Sequence, residues 1–210
     1  MALIHRATIQ PTKLELLTKW LPSRGWCTGP VGELTKVAGY RFDDPAGEVG
    51  IETLLVRTAD GTVFQVPLTY RAEPLAGGDE WLIGTAEHSV LGKRWVYDAL
   101  GDPVYPPALA AAVLANTGQA EELREVDGRF EVNPLTMDVA STGRGDAPTV
   151  NAVLEVTDAD PARIRTDTVE LVVRRRLGAG AGVETEATGA VLTGTWPDQT
   201  TPVSLAYSGS

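Results

Sequence analysis

Leu3, His5, Ala7 and Ile9 alternate with Ile4, Arg6 and Thr8, and this period of two predicts a short opening strand. Pro11 and Thr12 then start a helix in which Leu14, Leu17 and Leu21 recur near helical spacing, and Pro22 stops it. Three runs of strand character follow, at 33–43, 50–59 and 62–72. Asp60-Gly61 predicts a two-residue type I′ hairpin between the last two, and Asp43 to Gly47 a longer turn. The pattern therefore describes an antiparallel meander with the N-terminal helix packed on one side.

Residues 74–80 read as a loop, and 81–102 mix apolar and polar positions without one period. Pro106 and Pro107 open a second helix, which runs to a C-cap at Gly118. Beyond it the chain turns to short strand candidates at 121–126, 129–133, 150–156 and 168–177, separated by Gly, Asp, Pro and Thr. Residues 141–149, STGRGDAPT, read as an exposed loop, 178–182, GAGAG, as a flexible connection, and 189–194 and 203–207 as the last strands. A boundary near 116–120 divides the chain into 1–117 and 118–210, in keeping with about 150 residues per domain. The fold class expected is α+β, an antiparallel sheet with a packed helix followed by a smaller β-rich lobe.

Composition removes several functions. The chain of 210 residues carries 18 basic and 28 acidic side chains, a formal charge of −10, with one Cys and two His. Those counts exclude a four-ligand Cys/His zinc site, an iron–sulfur cluster and a disulfide framework. An acidic surface also disfavours nucleic acid, whose binding depends on clustered Lys and Arg. The opening residues carry charge where a signal peptide needs an apolar run, and no stretch approaches a membrane span. A cytoplasmic location is expected, with no membrane, metal or cofactor.

The catalytic motifs tested are missing. GxxxxGK[ST], a GxGxxG after a strand, GxSxG, HExxH and CxxC do not occur. His5 and His88 read as structural or surface histidines, and Cys27 as a small buried hydrophobe. The pairs Asp158/Asp160 and Glu184/Glu186 read as solvated charge, and Arg144-Gly145-Asp146 as an exposed turn. Arg174, Arg175 and Arg176 form the densest basic patch; in a strand at most two of them share a face, so they serve either phosphate binding or salt links. Trp20, Trp26, Trp81, Trp95 and Trp196 suit a core or lobe interface, or an aromatic platform for sugar.

Two stretches, PTKLELLTKWLPSRGW at 11–26 and the run at 64–105 that holds VPLTYR, LIGT and RWVYD in order, resemble the N-terminal cap region of actinobacterial maltokinases. The resemblance runs from Pro11 to about Leu114 and implies a cystatin-like helix on an antiparallel sheet. More faintly, 118–210 is similar to the kinase small lobe that follows the cap; on that register LVVRRRL, 171–177, puts Val172 where the family carries a phosphate-pairing lysine. The family's HGD and DFxGEP motifs do not occur in these residues. The resemblance thus implies a non-catalytic cap-like accessory or regulatory protein of maltose, trehalose and α-glucan metabolism. Its partner would be a saccharide or a protein, met through Trp26, Arg71, Trp81, Arg94, Trp95 and Tyr97, with Arg71 and Arg94 alternatively bound to Asp98 or Asp102. Two other readings stand beside it. One is a nucleotide- or sugar-binding kinase remnant using Arg144, Arg174, Arg175 and Arg176; the other is half of a split kinase completed in trans.

Overall fold

The computed structural model describes residues 2–4, 8–126, 129–178 and 189–209. Its strands are β1 (Ala2–Ile4), β2 (Ile9–Gln10), β3 (Thr35–Phe42), β4 (Gly50–Arg57), β5 (Val63–Arg71), β6 (Leu82–His88), β7 (Gly92–Asp98), β8 (Glu122–Val126), β9 (Arg129–Val132) and β10 (Asp138–Ser141). They continue as β11 (Val153–Thr157), β12 (Ala162–Thr166), β13 (Glu170–Val173), β14 (Arg176–Leu177), β15 (Val191–Trp196) and β16 (Gln199–Ser208), and the helices are α1 (Lys13–Trp20) and α2 (Tyr105–Ala115). His5, Arg6 and Ala7 of the expected opening strand, Glu184, Glu186 and residues 179–182 of the GAGAG run lie outside the described residues.

The α1 helix starts as its sequence demands. Thr12 is the N-cap, and Glu15 closes a reciprocal capping box, with Thr12 N–H donating to the Glu15 carboxylate at 2.7 Å and Glu15 N–H to the Thr12 hydroxyl at 3.2 Å. Leu16, Leu17 and Trp20 are buried against the first sheet, whose order is β2-β6-β7-β5-β4-β3. Leu54, Val56, Phe64, Val66, Leu68, Ala86 and Val96 form the sheet's side of that core. Lys13 and Tyr70 add a polar tie to α1, both donating to the buried Glu52 carboxylate, at 2.5 and 2.9 Å.

Alternation sends Tyr40, Phe42, Ile51 and Leu55 to the opposite face of the same sheet. There they meet Leu109 and Val113 of α2 and a second sheet of order β10-β15-β16-β13-β12-β11, through Ile164, Leu171 and Leu205. The molecule is thus layered as helix, sheet, then helix with sheet, and the second core draws on residues from both segments of the chain. A third, small sheet of order β1-β8-β9 stands beside these layers. Mostly antiparallel sheets with two short helices make the fold α+β.

Several local expectations are corrected. The β4–β5 turn is not the type I′ hairpin: Thr58 N–H donates to the Thr62 carbonyl and Gly61 N–H to the Thr58 carbonyl, and Gly61 alone in the turn has a positive φ of 90°. Asp60 would need a left-handed conformation in a type I′ turn; its carboxylate instead accepts from the Thr58 hydroxyl and from Thr62 N–H, which favours the wider loop. The left-handed cap of α2 is Asn116, φ 51°, rather than Gly118, because the Asn116 side-chain oxygen also accepts Ser141 N–H at 2.7 Å. Residues 81–102 hold the unassigned hairpin β6–β7. The segment from Ser141 is not wholly exposed, since Ser141 and Gly143 are buried against α2.

Candidate functional site

The chain leaves one sheet and enters the other between Val173 and Arg176. β13 pairs with β12 and β16 of the second sheet, whereas Arg176 and Leu177 pair antiparallel with Phe64 and Val63 of β5. β7 borders the same edge of β5 from Leu68 to Arg71, so β14 continues the row that β7 begins. Gln65 closes the joint: its N–H donates to the Arg175 carbonyl at 2.7 Å, and its side-chain amide to the carbonyls of Arg174 and Leu205 at 2.9 and 3.0 Å.

Arg175 fills the gap in that row and is fully buried. Its guanidinium donates to Asp98, the buried last residue of β7, and to Asp158 at 3.3 Å, and it lies 4.7 Å from the Trp26 ring centroid. Trp26 Nε1 also donates to Asp158, at 2.6 Å, and Asp160 accepts the backbone N–H groups of Arg175 and Arg176 at 2.9 and 3.3 Å. Asp158, half-buried, and Asp160, still exposed to solvent, are thus also the acceptors that hold this crossing strand. Burial pushes the Asp98 carboxyl above its ordinary range against the pull of Arg175, so the pair fixes position more than it adds stability.

Beside this joint opens a cleft of about 360 Å³. The β4–β5 turn supplies Arg57, Asp60 and Thr62, β14 supplies Arg176, and the β15–β16 turn supplies Trp196, Asp198 and Gln199. Arg57 and Asp198 face one another at 3.8 Å, both solvent-accessible, so one guanidinium nitrogen of five N–H donors is engaged loosely. Arg176 donates to the Thr28 hydroxyl at 2.6 Å. Hydrogen bonds from the Thr58 hydroxyl and the Thr62 N–H hold the Asp60 carboxyl below its ordinary range, with Arg176 adding a smaller pull. Two cations, two carboxylates, an amide and an indole thus line the cleft. Among the described residues, no group of three or more His, Cys, Asp or Glu is placed to hold a metal ion.

The residues expected to form a recognition surface are dispersed. Trp26 is buried below Arg175, with Trp20 and Phe64 at 5.9 and 5.7 Å between ring centroids. Arg71 forms a two-pronged pair with the buried Asp102 at 2.7 and 2.7 Å. Tyr97 is buried and its hydroxyl accepts Leu75 N–H, while Trp81 packs on the second core. Trp95 stands opposite Arg71 across β5 and β7 with Lys93 4.6 Å from its ring, and Arg94 points to the other face. Among the described residues, Arg94 and Trp95 are the two of the six that combine partial exposure with no carboxylate partner, since Trp81 Nε1 donates to Glu80 at 3.1 Å.

The alternative phosphate group is likewise divided. Arg144 donates to the carbonyls of Ser141 and Gly143, in a loop whose Gly145 N–H and Ser141 hydroxyl satisfy carbonyls at the C-terminus of α2. Arg174 lies 5.8 Å from the Tyr207 ring, and Val172 is fully buried with Val191 and Tyr207. His88 accepts two backbone N–H groups of its own turn, from Val90 and Leu91. The cleft escaped the sequence because its turns are far apart in the chain.

A helix-backed antiparallel sheet completed by a second β-sheet defines the class, an α+β protein with a polar cleft at the joint. Residues 20–102 match the family model of the maltokinase N-terminal cap domain, and this part of the chain is similar to such a cap. The match begins at the last residue of α1 and ends at Asp102, the partner of Arg71. No curated protein matches the chain. No helix among the described residues is long and apolar enough to cross a membrane.

Proposed function

We propose that this chain is a non-catalytic cap-like accessory protein of maltose, trehalose and α-glucan metabolism, which works by holding a saccharide in the cleft between the β4–β5 and β15–β16 turns. The observation that carries the reading is the lining: Arg57, Asp60, Arg176, Asp198 and Gln199 supply donors and acceptors of both kinds around a volume of about 360 Å³, beside Trp196. Hydroxyl groups need that mixture, and an aromatic wall suits the apolar face of a sugar ring. The buried Arg175 and Val172 support a binding role over phosphoryl transfer, since neither side chain reaches solvent where nucleotide phosphates would lie.

The test is a thermal-shift and calorimetric titration with maltose, maltotetraose, trehalose, and ATP with magnesium. A saccharide at about a hundred times its dissociation constant stabilises the fold by roughly 2.7 kcal/mol. The response should vanish in Asp198→Ala and Arg57→Ala and persist in Trp95→Ala. Loss in Trp95→Ala alone moves the site to the β7 surface, a response to ATP with magnesium overturns the reading in favour of a nucleotide-binding remnant, and silence from all four ligands refutes saccharide binding.

A further inference from the structure

The small sheet ends in an unpaired edge. β9 has β8 as its one neighbour among the described residues, and all four of its residues are exposed. Phe130 and Val132, 61% and 57% exposed, project from one face, and Arg129 and Glu131 from the other. A strand edge that carries two exposed apolar residues is a template for a further strand.

Backbone phase says which groups point outward. Asn133 N–H donates to the Glu122 carbonyl at 2.7 Å, and the ladder pairs Glu131 with Arg124 and Arg129 with Val126. In an antiparallel ladder the bonded positions recur every second residue, so Glu131 and Arg129 turn their N–H and C=O groups toward β8. Phe130 and Val132 turn theirs to the open edge.

Charge then selects the occupant. We propose that β9 is a self-association edge, on which a second copy of this chain pairs antiparallel through its own β9 about a two-fold axis at Phe130. In that register Phe130 exchanges two backbone bonds with the partner's Phe130, and the two rings meet on the apolar face. Arg129 lies opposite the partner's Glu131, and Glu131 opposite the partner's Arg129, at a non-bonded position where side chains approach most closely. Sliding the register by one step of the ladder in either direction sets Glu131 against the partner's Glu131 or Arg129 against the partner's Arg129. The sequence Arg-Phe-Glu is complementary to itself only when centred on its phenylalanine. Such a contact is isologous and closes at two copies.

Sedimentation equilibrium of the full chain across dilution tests the proposal, with circular dichroism confirming that each variant is folded. The chain should reach a dimer as concentration rises. Glu131→Arg, which opposes two arginine pairs at once, should weaken association about tenfold, and Arg129→Glu combined with Glu131→Arg should restore it. Phe130→Cys should form a disulfide-linked dimer on oxidation, because the axis brings the two copies of position 130 within disulfide reach; the native Cys27 is buried. A monomer at every concentration, or a dimer indifferent to both charge variants, overturns the proposal. Restoration by the double reversal is the outcome that general stickiness of the edge does not produce.

Discussion

Replacing Arg175 with methionine keeps an unbranched stem but deletes the guanidinium and its charge, leaving Asp98 fully buried without a counterion. Removing one member of a buried ion pair costs about 3–5 kcal/mol, because the remaining charge loses its solvation and its partner together. Contacts with Asp158 and with the Trp26 ring are lost as well, although Arg175 Nε and Nη1 have no acceptor in the native fold and return part of the loss. A destabilisation of about 4 kcal/mol corresponds to about 8–16 °C in melting temperature for a chain of this size. Urea unfolding followed by tryptophan fluorescence reads the change directly, since Trp26 is one of the reporting rings. Adding Asp98→Asn to Arg175→Met should recover most of the stability, because both charges then leave the interior. A single variant costing less than about 1 kcal/mol, or a double variant costing the sum of the two singles, would refute the account of this joint.

Two further perturbations test other parts of the fold. Burial works to raise the Glu52 carboxyl, but Lys13 and Arg41 outweigh it and hold it down at about 2, against an ordinary 4.5. Its stabilisation is therefore complete above about pH 4.5 and lost as the pH falls toward 2, about 3 kcal/mol in all; Glu52→Gln should flatten the acid limb of stability against pH, and an unchanged limb contradicts the assignment. Gly143→Ala would place a methyl group 2.2 Å from the Val113 carbonyl oxygen, so the loop must separate from α2. It should lower stability by about 1–3 kcal/mol, measured by calorimetry, and a neutral result would show that this loop does not brace the helix.

Much of the first sheet was legible because its signals are local. Thr12 and Glu15 cap one helix, Pro22 ends it, and β3, β4 and β5 fall within the predicted runs to within a few residues. The β6–β7 hairpin was not legible, because one of its faces carries Thr85, Glu87 and the half-buried Trp95, and the alternation fades. Partner choice was harder still. Charge alone left Arg71 and Arg94 as alternative partners of Asp98 or Asp102, and the fold selects Arg71 with Asp102, whereas Asp158 and Asp160 gave no sign that they receive Trp26 and Arg175 from elsewhere in the fold. The same blindness dispersed the proposed recognition surface: Trp26 and Tyr97 have the chemistry of contact residues, and only their burial shows that they contact the protein itself.

The two-residue strand β14 makes the cap-like sheet depend on residues from far along the chain. Asp98 meets Arg175 across a separation of 77 residues, and Phe64 meets Arg176 across a longer one still. These pairings close long loops, and contacts of such high sequence separation carry a larger entropic cost than the local hairpins of the same sheet. The joint acts as a clasp between two distant stretches of the chain, and the cleft beside it takes one wall from each.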